Sequence, residues 1–112
     1  MRGAVKAHQG TTLFYATLLE EASGIINGEW HYVAGVQPLS ISVRGIVGDM
    51  VQIWGSLSPE EPATLDDPHL LHPNFTEDTL AVLEAPVQWI KAKVSAWNTG
   101  TITVRLFGPY RI

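Results

Sequence analysis

Two carboxylates and two imidazoles, Asp66, Asp67, His69 and His72 of the run D-D-P-H-L-L-H, form the one constellation with metal-binding chemistry in this chain of 112 residues. Such oxygen and nitrogen donors suit zinc or manganese. Pro68 and Pro73, however, prevent the regular helix that would fix ligand spacing, so the stretch reads as an acidic loop, with no metal and no cofactor expected. Ser56 and Ser58 follow Gly55 without forming a G-x-S-x-G elbow, and the chain lacks a phosphate-cradling G-x-x-x-x-G-K. His31, between Trp30 and Tyr32, reads as a hydrogen-bonded sheet residue. The paired acids Glu20-Glu21 and Glu60-Glu61 are sequence neighbours, so in extended chain they point to opposite faces and cannot share a substrate. The expectation is a protein that is not an enzyme.

Contact chemistry is better represented. In residues 87–107, Ile90, Ala92, Val94 and Ala96 alternate with Trp89, Lys91, Lys93, Ser95 and Trp97; Ile102, Val104 and Leu106 then alternate with Thr103, Arg105 and Phe107. Period two means a strand with one buried face, and Asn98-Thr99-Gly100 between the arms predicts a β-hairpin with a three-residue loop. That register sets Val94 opposite Val104 and Ala92 opposite Leu106, and it leaves an outer face of Trp89, Lys91, Lys93, Trp97, Arg105 and Phe107. Lys93 would fall opposite Arg105, a like-charge pair that destabilises a strand pair unless an acidic partner offsets it. Trp89 and Trp97 would lie about 26 Å apart, too far to grip one sugar ring jointly, although a long glycan or a protein surface could span them. Tryptophan with arginine and phenylalanine on a flat sheet favours protein contact.

The remaining elements follow in chain order. Residues 1–11 read as an N-terminal arm, and 12–112 as a single β-sandwich domain. Residues 12–19 suit a strand, with a helical turn at 18–22 as the alternative; 29–34 read as the returning strand after Asn27-Gly28. Leu39, Ile41 and Val43 alternate with Ser40, Ser42 and Arg44, and in residues 50–54 Val51 and Ile53 are the preferred inward pair over Met50 and Trp54. Prolines 59, 62, 68 and 73 then break the pattern in a long acidic loop before residues 78–84 resume extended structure. Six or seven short strands separated by turns predict an all-β antiparallel sandwich, Ig-like or jelly-roll-like.

Charge and composition narrow the function classes. A net charge of −4 tells against general nucleic-acid binding. The start, MRGAVKAHQG, lacks the apolar core of a signal peptide, and no run reaches the roughly 18 apolar residues of a membrane helix, so no membrane partner is expected. Seven carboxylates and no Lys or Arg lie between Glu60 and Glu84, whereas residues 85–112 carry four bases and no carboxylate. Such poles suit a homo-oligomer joined head to tail, with Glu60, Glu61, Asp66 and Asp67 as an acidic interface, or an acidic loop folded over the basic arms.

Three blocks, P-L-S-I-S-V-R-G-I at 38–46, V-Q-I-W-G-S at 51–56 and W-I-K-A-K-V-S-A-W-N-T-G-T-I-T-V at 89–104, resemble a group of short proteins encoded by tailed phages. The resemblance covers about half of the chain and implies a virion structural protein without catalytic residues. The resemblance does not place the protein in the particle; the small cysteine-free chain with its arm, long Pro-rich loop and complementary charge poles fits a capsid decoration or cement protein, whose partner is the major capsid protein or another virion protein. The same features fit a tail, neck or baseplate subunit, and a carbohydrate-binding module for host attachment is a rival of another class. The implied location is the virion, assembled in the host cytoplasm.

Overall fold

A computed structural model describes residues 3–8, 11–62, 68–84 and 87–110. Among the described residues ten strands occur in order, β1 (Gly3–His8), β2 (Thr11–Ala22), β3 (Ile26–Asn27), β4 (His31–Tyr32), β5 (Leu39–Arg44), β6 (Met50–Ser56), β7 (Pro68–Leu70), β8 (Thr79–Leu83), β9 (Trp89–Ala96) and β10 (Ile102–Pro109). Sheet A has the order β1-β2-β10-β5-β8; sheet B runs β3-β9-β6-β7, with β4 also on β9. All pairings are antiparallel and the described residues contain no helix, so the chain is an all-β sandwich.

The alternating apolar residues form its core. Leu39, Ile41 and Val43 from β5 meet Val51 and Ile53 from β6, Ile90, Ala92 and Val94 from β9, and Ile102, Val104 and Leu106 from β10, none more than 1% exposed. Removing these apolar side chains from water is the main favourable term, about 1.5–3 kcal/mol for each large one before entropy is charged against it.

The pairing of 87–107 differs from expectation. Strands β9 and β10 belong to different sheets and form an arch, not a hairpin. Val94 pairs with Ile26 and Val51, while Val104 pairs with Leu19 and Val43. Lys93 lies opposite Asn27 and Gln52, and Arg105 opposite Thr17 and Ser42, so the like-charge opposition does not exist. The physical reason is that an arch and a hairpin impose the same alternation. In the arch each strand turns its apolar face toward the other across the roughly 10 Å between sheets.

Asp49 holds the arch in place. This carboxylate, 3% exposed, comes from the β5–β6 loop, which itself crosses between sheets. Its Oδ2 accepts the N–H of Val47 at 2.8 Å and of Gly100 at 3.0 Å, and its Oδ1 accepts the N–H of Asn98. The loops touch so closely that a Cβ at Gly100 would overlap the Asp49 carboxylate and the Gly45 carbonyl. Gly45 has φ 89° and packs on the Thr101 carbonyl, a position that only glycine fits. Burial raises the Asp49 pKa, but the amides of Asn98, Val47, Gly100 and Thr99 lower it by more, leaving it below the ordinary 3.8.

Other departures are local. The segment read as an arm supplies β1 along β2 over Gly3–His8. Strand β2 runs on to Ala22 where a helical turn was the alternative; a register shift against β10 and φ 49° at Glu21 leave Glu20 and Glu21 both exposed. The proline-rich segment is not loop throughout: β7 pairs with β6, and Phe75, 3% exposed, bridges to Val51. Pro68 is tolerated because it opens a short edge strand.

Two measurements test this arrangement. Since the chain has no cysteine, Ser42→Cys with Arg105→Cys should oxidise to an intramolecular disulfide, and Lys93→Cys with Arg105→Cys should not, as read by mass spectrometry. Efficient closure of the second pair would restore the hairpin. Because its pKa is lowered on folding, Asp49 contributes stability in full above about pH 4 and loses it as pH falls through the folded value. Asp49→Asn should therefore lower the urea midpoint at pH 7, with a gap to the parent that narrows toward pH 2.

Candidate assembly surface

The outward residues of β9 and β6 build an aromatic and basic surface on sheet B. Cross-strand pairing puts Trp89 beside Tyr32 and Ser56, Lys91 beside Trp54, and Lys93 beside Gln52 and Asn27. Trp30 joins from the segment before β4, its ring 4.8 Å from Lys91 Nζ. Three of the four tryptophans of the chain therefore lie on this surface.

Each aromatic group is anchored. Trp89 donates its indole N–H to the Ser58 carbonyl at 3.1 Å, and its ring meets Tyr32 edge-on at 5.1 Å. Trp54 donates to Gln52 Oε1 at 3.1 Å, and Gln52 donates in turn to Asn74 Oδ1 at 3.3 Å. Tyr32 stays 55% exposed. Fixed aromatic rings lose little entropy on binding, which suits them to act as contact anchors.

Lys91 is covered, at 9% exposure. Burial lowers its pKa and repulsion from Lys93 lowers it further. Its ammonium lies over the Trp30 ring, a cation–π arrangement that offsets part of the lost hydration.

The six residues expected on one face are thus divided. Trp89, Lys91 and Lys93 lie together on sheet B. Trp97 lies at the arch, 40% exposed, its indole donating to the Gly100 carbonyl at 2.8 Å. Arg105 and Phe107 point outward from sheet A, where the Phe107 ring lies 4.7 Å from that of Tyr15 at a tilt of 50°. Glu60 and Glu61 are exposed in the segment after Ser58, while Asp66 and Asp67 fall outside the described residues. His72 stacks on Phe75 at 4.4 Å with Nδ1 2.7 Å from the Pro73 carbonyl oxygen, and no three His, Cys, Asp or Glu among the described residues could hold a metal ion.

Trp30, Tyr32 and Trp54 were missed as surface members because their neighbours are remote in sequence. Tyr32 and Trp54 at outward strand positions, with Trp30 two residues before Tyr32, were the available signal.

Lys91 makes the surface measurable. With the folded pKa below the unfolded one, the cost of its charge is full below the folded value and vanishes above the unfolded value. Relative to Lys91→Met, the parent should gain stability as pH rises through the alkaline range toward about 10.4. Lys93→Gln should move the Lys91 side-chain titration upward in an NMR experiment; a stationary titration would contradict the coupling.

The sequence matches no protein-family model, and no curated protein matches it. Among solved structures, the fold is similar to the crystal structure of the SPBc2 prophage-derived protein YomS, with TM-score 0.65 over 93% of this chain and 98% of that one at 14% identity. The chain shares the fold of that prophage-derived protein almost from end to end.

Proposed function

We propose that this chain is a non-enzymatic structural protein of a phage virion, a decoration or cement protein that docks on the major capsid lattice and is assembled with it in the host cytoplasm. The observation carrying this reading is the shared fold with a prophage-derived protein over 93% of the chain, joined by the phage-like strand blocks. The chemistry of sheet B supports it. Trp30, Tyr32, Trp54 and Trp89 supply aromatic anchors on the outer face of sheet B, and Lys93 supplies charge for an acidic lattice partner.

Purified protein mixed with particles lacking it should co-sediment and saturate at a fixed ratio of copies per capsid subunit. Tyr32→Ala and Lys93→Glu should each weaken binding by about tenfold, with the loss from Lys93→Glu shrinking at high salt. Absence of the folded protein from the particle pellet at all concentrations would overturn the proposal.

A further inference from the structure

Sheet A ends in two edge strands, β1 and β8. An edge strand presents a row of backbone N–H and C=O groups to any incoming strand, and proteins usually guard such rows with charges, bulges or coverings. The outward positions of β8 instead hold Leu80 and Val82, 76% and 59% exposed. The pairing continues this row inward, from Val82 across the polar Ser40 to the aromatic Phe107 and Tyr15. The register of β8 on β5 is regular over all five residues.

The charges at the two edges differ in sign. Glu77 and Asp78 precede β8 and Glu84 follows it; Arg44, one strand in, leaves this edge acidic. Strand β1 contains Lys6 and follows Arg2, and no carboxylate occurs before Glu20. Symmetric antiparallel pairing of two β8 strands about Ala81 would set Asp78 against Glu84 twice, a like-charge arrangement that destabilises the pair. Pairing β8 with β1 brings acid to base. The strands have matching lengths of five and six residues.

Direction is compatible too. The four steps from β1 to β8 are all antiparallel, so the two edges run the same way. A copy rotated about an axis along the strands therefore presents β1 parallel to its neighbour's β8. Such a heterologous contact repeats until the rotation closes a ring.

We infer that copies of this chain associate head to tail by extending sheet A, with β8 of one copy pairing with β1 of the next. The inference rests on the edges of sheet A and is separate from the lattice contact proposed for sheet B. Full-length protein should show concentration-dependent association beyond a dimer in sedimentation-velocity runs. Leu80→Lys/Val82→Lys, which disables the β8 edge, and Arg2→Glu/Lys6→Glu, which reverses the charges in and just before β1 in sequence, should each be monomeric with the circular dichroism of the parent. Their equimolar mixture should associate again, since one variant retains β8 and the other retains β1.

A parent that stays monomeric overturns the inference. So does self-association of Arg2→Glu/Lys6→Glu alone, which would indicate symmetric β8 pairing, and so does a mixture that remains monomeric. A parent that oligomerises but never pellets with particles upholds the head-to-tail contact and overturns the lattice reading. A monomer that pellets does the reverse.

Discussion

The Asp49 carboxylate lies between two loops that each cross from one sheet to the other, and it accepts amides from both. Without a crossing at the arch, β9 and β10 could close on each other as a local hairpin and leave the sheets without a shared end. Ionised oxygens that receive several backbone N–H groups answer the polar demand of tightly turned, buried loops. Glycines 45 and 100 let the two loops come close enough for this to happen. The long-range order of the sandwich thus depends on a contact spanning 51 residues of sequence between Asp49 and Gly100.

That dependence explains what the sequence could and could not disclose. The inward sets of β5, β6, β9 and β10 were legible because burial on one face forces alternation whatever the neighbouring strand is. Identity of the neighbour leaves no comparable trace. The arms beside Asn98-Thr99-Gly100 alternate as a hairpin would, and nothing in that alternation names the strand each arm pairs with. Lys91 illustrates the same gap at the surface: an outward position on an alternating strand predicts exposure, yet Trp30 covers it from a different segment. The proline count correctly marked an interrupted region, but it hid the short edge strand β7 and the Phe75 anchor beside it.

Dividing β9 and β10 between the sheets also divides the contact chemistry. Sheet B keeps the anchored aromatic groups and lysines, whereas sheet A keeps the Tyr15–Phe107 pair and the apolar edge at Leu80 and Val82. A sandwich with two chemically different sides can meet a lattice with one and its own copies with the other. Neither proposed contact would require the core or the arch to rearrange, in keeping with the rigid-body behaviour of most preorganised interfaces.

Amide hydrogen exchange, on the free protein and on protein assembled with particles, tests this division most directly. The account predicts slow exchange at Asn98 and Gly100 in both states, with new protection on assembly along β8 and at residues 30–32 of sheet B. Rapid exchange at Asn98 and Gly100 in the free protein, or assembly that protects the arch while leaving β8 and residues 30–32 unchanged, would contradict it.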